Sequence, residues 1–133
     1  MAAAAVIKTM LSGSRKHIIN VSGIWDTADE VDTVIIDRST LIGPDGVLPK
    51  SIRIDEITWA VGVGLDYVLL SWDDAADEVV DYFQGQGYMN YRTYGGKIMT
   101  GAATTATEGD LQLTTAGGAA GDTYSFLIEC TLK

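Results

Sequence analysis

The residues with the most chemistry to offer are acids, and they gather in two places. Asp26, Asp29, Glu30 and Asp32 follow Trp25, while Asp73, Asp74, Asp77 and Glu78 follow Trp72. Calcium takes several oxygen ligands from a flexible loop, and either cluster could supply part of such a set. The Asp-x-Asp-x-Asp-Gly spacing of an EF-hand is absent. A pair of carboxylates could also flank a glycosidic bond, but a chain with 18 acids offers many candidate pairs. Both clusters are expected to be solvated loops that keep strand ends in water, with a calcium site and a carboxylate pair as the alternatives.

Other chemistries lack their parts. Ser-His-Asp or Cys-His catalysis would have to use His17, the single histidine, and a zinc site normally draws on several His or Cys. Cys130, the single cysteine, falls on the apolar parity of the last strand, where a small buried hydrophobe is expected rather than a nucleophile. The glycine pairs Gly95-Gly96 and Gly117-Gly118 lack the Lys-Ser/Thr ending of a phosphate loop and belong to turns. The expectation is a protein with no catalytic residue, no cofactor and no metal site.

Composition narrows the partners. The 133 residues carry 9 basic and 18 acidic side chains, a net charge of −9, which disfavours nucleic acid and anionic membrane surfaces. No apolar run is long enough for a transmembrane helix. The apolar start, Met1 to Ile7, has no basic residue before it and does not match a secretory signal. One cysteine excludes an internal disulfide framework and fits assembly in a reducing cytosol.

The elements that must position any site are strands. Fifteen glycines and two prolines are distributed among Val, Ile, Thr and Tyr, the pattern of many short strands joined by turns. At the C-terminus Tyr124, Phe126, Ile128, Cys130 and Leu132 alternate with Thr123, Ser125, Leu127, Glu129 and Thr131, so the first set should face a core. Ser51 to Val61 places Ile52 and Ile54 on one face but Ile57, Trp59 and Val61 on the other, which calls for a β-bulge or a strand that changes sheet. Further strands are expected over 15–25, 31–37, 67–73, 78–83, 88–94, 97–100 and 110–115. The runs Val34-Ile35-Ile36 and Val68-Leu69-Leu70 suggest strands buried on both faces. A short helix over 73–81, capped by Asp73, is an alternative for that stretch, and 101–109 is expected to be a polar surface loop.

About eight or nine such strands form an antiparallel β-sandwich, with jelly-roll connections as one arrangement and an open immunoglobulin-like sandwich as the other. This domain should span residues 15–133. Residues 1–14 are Ala-rich and weakly patterned, an arm expected to gain order only against a partner through Val6, Ile7, Met10 and Leu11. Trp25, at a strand end beside acids, is expected to be partly exposed, whereas Trp59 and Trp72 belong to the core. Tyr88, Tyr91 and Tyr94, with Asn90 and Arg92 among them, have the composition of a protein interface or of a platform for sugars. They do not share one parity, so they cannot all lie on one strand face, and core packing by at least one is the competing expectation.

Several stretches taken together resemble small structural proteins of tailed-bacteriophage virions. They are Val21-Ser22-Gly23, Val34 to Leu41, Ile54-Asp55-Glu56-Ile57-Thr58-Trp59, Leu69-Leu70-Ser71-Trp72-Asp73, Gly85-Gln86-Gly87-Tyr88-Met89-Asn90-Tyr91 and Gly121-Asp122-Thr123-Tyr124. The likeness is one of overall pattern over residues 18–133. It implies a capsid decoration or cement protein, made in the host cytoplasm and bound to the major capsid protein on the outer surface of the virion. It also implies a homo-oligomer, a trimer being the first expectation, and brings no catalytic residues with it. Two rivals come from other classes: a carbohydrate-binding β-sandwich for adsorption in a tail or fibre, and a small glycan-cleaving enzyme.

Overall fold

Alternation at the C-terminus produces the strand around which one sheet is built. The computed structural model describes residues 5–13, 15–25, 31–43, 46–62, 64–74, 76–99, 108–118 and 121–133. Within them run β1 (Val6–Ser12), β2 (Lys16–Ile24), β3 (Thr33–Ile36), β4 (Ile52–Val61), β5 (Tyr67–Trp72), β6 (Glu78–Phe83), β7 (Gln86–Asn90), β8 (Leu111–Ala116) and β9 (Thr123–Leu132). Short 3-10 turns occupy Arg38–Thr40 and Tyr91–Tyr94. One sheet has the order β1-β2-β9-β4-β7 and the other β3-β8-β5-β6, with every pairing antiparallel.

The pairings nest. β5 pairs with β6, β4 with β7, β3 with β8 and β2 with β9, as in one long hairpin. Rolling that hairpin up brings β4 against β9 and β5 against β8, and the chain crosses between sheets at most connections. This is a jelly roll, with β1 added outside β2. The open immunoglobulin-like arrangement is thereby set aside.

The period-two pattern of β9 is obeyed throughout: Tyr124, Phe126, Ile128, Cys130 and Leu132 are all buried. β4 carries the expected bulge, where the register against β9 slips between Ile54 and Glu56. The extra residue returns Ile57 and Val61 to the face already used by Ile52 and Ile54, so one strand gives four buried aliphatic residues to one core. Between the sheets Trp59 lies edge-on to Phe83 at 4.9 Å, and Phe83 to Phe126 at 5.3 Å. Such pairs add about 0.5–1.5 kcal/mol each beyond the area they bury. Trp59 is half-buried rather than fully enclosed, whereas Trp72 is buried as expected. Gly87 faces the Trp59 indole so closely that any Cβ there would overlap the ring.

Several expectations are corrected. Residues 6–12 are not an arm awaiting a partner; they pair with β2, because backbone hydrogen bonding to an existing edge needs no buried side chains. The strand expected over 88–94 ends at Asn90, whose side chain accepts from Arg92 N–H and starts a 3-10 turn closed by left-handed Gly95. Of the strand expected over 97–100, the described residues 97–99 form a single bridge, Lys97 to Ile54. The helix alternative over 73–81 gives way to β6. Val34 is 41% exposed because β3 is a sheet edge, so only Ile35 and Ile36 of that run are buried. The loop expected at 101–109 and the acids Asp26, Asp29 and Glu30 fall largely or wholly outside the described residues.

Candidate functional site

Charged residues scattered along the sequence converge at the bulge of β4. In an unbroken pleat Asp55 and Glu56 would point to opposite faces; the bulge turns both outward. Asp55 is nevertheless fully buried, because longer side chains close over it. Arg53 Nε lies 2.9 Å from Oδ1, Lys16 Nζ 3.2 Å and Arg92 Nη2 3.7 Å from Oδ2. The Thr131 hydroxyl donates a further bond to the same carboxylate. Burial alone would raise the Asp55 pKa, but the bonds from Thr131, Lys16 and Arg53 outweigh it and hold the carboxyl below the ordinary range.

The cluster extends across the sheet. Arg92 reaches Glu56 at 3.4 Å and Glu129 at 3.2 Å, and Lys16 lies 3.5 Å from Glu129. Three cations therefore answer three carboxylates, tying β2, β4 and β9 to the turn after β7. The Tyr88 hydroxyl donates to Glu56 and holds that carboxyl below its ordinary pKa. A general acid for glycoside cleavage needs the opposite shift, so this arrangement suits binding and bracing rather than proton delivery.

The outer face of the five-stranded sheet can be laid out row by row from the strand register. One row runs Ile18, Glu129, Glu56, Asn90; the next Asn20, Leu127, Thr58, Tyr88; the third Ser22, Ser125, Ala60, Gln86. Small side chains in the third row, between larger neighbours, leave the face furrowed. A depression of about 230 Å³ is lined by Ile18, Glu56, Thr58, Tyr88, Leu127 and Glu129. Another of about 440 Å³ follows along the same strands, over Ser22, Ala60 and Ser125 and bordered by Val6 and Ile24.

The expected interface residues separate into three groups. Val6, Ile7, Met10 and Leu11 are 65%, 40%, 55% and 49% exposed, on a strand with no buried residue. Tyr88 and Tyr94 are exposed, Tyr88 over the furrow and Tyr94 at the end of the 3-10 turn. Tyr91 is corrected: it is buried, its hydroxyl donating to Asp81 Oδ2 at 3.1 Å, because the turn rotates it inward. Trp25 is half-buried, packed on the edge of the core.

His17 and Cys130 are cross-strand neighbours, both buried. Burial lowers the His17 pKa, keeping the ring neutral, and pushes the Cys130 thiol far up, which holds it in its unreactive protonated form. His17 Nδ1 lies 3.2 Å from Ser12 Oγ, linking β2 to β1. Among the described residues no group of three or more His, Cys, Asp or Glu side chains is arranged to hold a metal ion. Burial raises the Asp73 pKa, and the nearby charges of Asp77, Glu108, Asp32 and Asp74 raise it further.

The residues of the Asp55 cluster were not singled out from the sequence as a site. Its one visible signal was two charges, Arg53 and Asp55, placed inside a strand that also needed a bulge.

Fold and site together define an all-β jelly-roll with a polar, furrowed sheet face and an apolar edge strand. No family model matches the chain, and no curated protein sequence does. Among solved structures, a cupin domain from Bordetella pertussis Tohama I is similar at a TM-score of 0.41 and 7% identity, the match covering 100% of this chain and 97% of that one.

Proposed function

We propose that this chain is a structural protein of a tailed-bacteriophage virion that decorates and stabilises the capsid by binding the major capsid protein. In this reading it is a homo-oligomer, a trimer first, on the outer surface of the shell, and it is not an enzyme. The observation that carries the reading is β1, an edge strand whose seven residues are all exposed although four of them are Val6, Ile7, Met10 and Leu11. An apolar edge with one side unpaired among the described strands offers backbone hydrogen bonds and side-chain burial together. Burying one such side chain contributes about 1.5–3 kcal/mol before ordering entropy is subtracted. Because β1 already rests on β2, that entropy is small.

The resemblance to virion structural proteins supplies the identity of the partner. The net charge of −9 suits an outer surface better than packaged DNA. Binding to empty shells of the parent phage tests the proposal, using the full chain, a chain lacking residues 1–12, and Ile7→Lys/Leu11→Lys. The variants should keep the strand-rich circular dichroism of the roll, lose shell binding, and leave shells that break at lower temperature. Equal binding by all three, or location of the protein only in the tail or fibres, would overturn it.

A further inference from the structure

We propose that the furrow on the outer face of the five-stranded sheet binds a neutral carbohydrate, with Tyr88 as the platform for one sugar ring. This is a second function for the fold and does not rest on capsid attachment. The chemistry of the furrow selects the ligand. Tyr88 is 56% exposed, and its hydroxyl is anchored to Glu56, so the ring is held in place with one face left to stack. Beside it Thr58 presents an exposed hydroxyl, and Leu127 and Ile18 supply apolar patches for the C–H faces of a sugar.

Glu56 and Glu129 provide the directional part. Arg92 and Lys16 fix both carboxylates, and an ionised carboxylate has several lone-pair sites, so capacity to accept from sugar hydroxyls persists after those bonds are made. Groups already held in place lose little freedom on binding, the condition under which a shallow site can hold a ligand. At about 230 Å³ the depression is smaller than the roughly 300–1,000 Å³ of pockets for larger ligands, and it suits one ring. The depression of about 440 Å³ farther along the strands gives room for the chain to continue.

Charge weighs against anionic glycans. Of the cations on this face, Lys16, Arg53 and Arg92 are engaged by Asp55, Glu56 and Glu129, while Lys8, paired with Asn20 on β1, stands exposed at the far edge of the Tyr88 row. With a net charge of −9 on the chain, a sulfated or uronic polymer would meet repulsion at Glu56 and Glu129, where the nearest cations are already engaged. A neutral, hydroxyl-rich ligand meets acceptors.

The test is an NMR or calorimetric titration of the full chain with neutral oligosaccharides: glucans, mannans, galactans and N-acetylglucosamine oligomers, with alginate and heparin oligomers as the acidic set. At least one neutral member should bind, with shifts centred on Tyr88, Thr58 and Leu127. Tyr88→Ala should weaken it by about tenfold or more. Tyr88→Phe, which keeps the ring but loses its anchor on Glu56, should fall between wild type and Tyr88→Ala, and Tyr94→Ala should leave the affinity within about twofold. Absence of binding by every neutral oligomer, preference for the acidic set, or binding insensitive to Tyr88→Ala would each overturn the proposal. So would loss of shell binding in Tyr88→Ala without any glycan binding, which would assign the furrow to a protein partner.

Discussion

Arg53 and Asp55 are paired within a single strand, Nε to Oδ1 at 2.9 Å, and the bulge between Ile54 and Glu56 places this pair on the outer sheet face. The bulge performs two tasks. It keeps Ile54 and Ile57 in the core and turns Asp55 toward cations from β2 and from the turn after β7.

Removing the Asp55 charge should therefore destabilise the roll. Asp55→Ala leaves Lys16, Arg53 and Thr131 without their shared acceptor, and a loss of about 2–3 kcal/mol is expected in urea unfolding. The sign with pH follows from a folded-state pKa below the unfolded one. Its stabilisation is full above the unfolded value near pH 4 and is lost as pH falls through the folded value. The gap between wild type and Asp55→Asn should narrow below about pH 4. Comparing the two proteins cancels the opposite contributions of Asp73 and Asp110, whose pKa values burial raises.

His17 gives a second, separable pH dependence. Burial lowers its folded-state pKa, so the unfolded chain takes up the proton first. Stability is full above the unfolded pKa, about 6.5, and falls as pH drops below it toward the folded value. Thermal melts between pH 7.5 and 5 should show a declining Tm in wild type and a flatter profile in His17→Gln. Equal slopes would mean that the ring titrates as freely in the fold as outside it.

Cys130 should be inert while the protein is folded. It is fully buried opposite His17, and its thiol pKa is pushed far up by burial. Alkylation by iodoacetamide at pH 8 should be negligible in buffer and complete in denaturant. Rapid modification of the folded chain would show that β2 and β9 separate readily.

Relief of repulsion at one end of the sandwich is the fourth expectation. Asp73 is disfavoured as an anion by burial and by Asp77, Glu108, Asp32 and Asp74. Asp73→Asn should raise Tm at pH 7. The gain should vanish below the unfolded pKa near pH 4, where the wild-type carboxyl is protonated in both states. A lowered Tm at pH 7 would show that the anion contributes more through its contacts than its neighbours take away.

What the sequence determined by itself was everything governed by the pleat. Alternation from Tyr124 to Leu132 identified β9 and its inward face, and the parity break between Ile54 and Ile57 announced the bulge, because side chains in a strand have only two directions to take. The edge strand was different. Val6–Ser12 has no buried residue, so it left no alternation to detect, and only the backbone edge of β2 decided that it would be ordered. The tyrosines drew attention to a region but did not reveal their own fates: the Asn90 cap starts a turn that sends Tyr91 inward and leaves Tyr88 and Tyr94 outside. The site lay furthest from view. Arg92 meets Glu56 and Glu129 across separations of 36 and 37 residues, and Asp55 meets Thr131 across 76. Such contacts follow from which strands become neighbours when the long hairpin rolls up, and that is settled by burial of the core, to which these polar side chains contribute nothing.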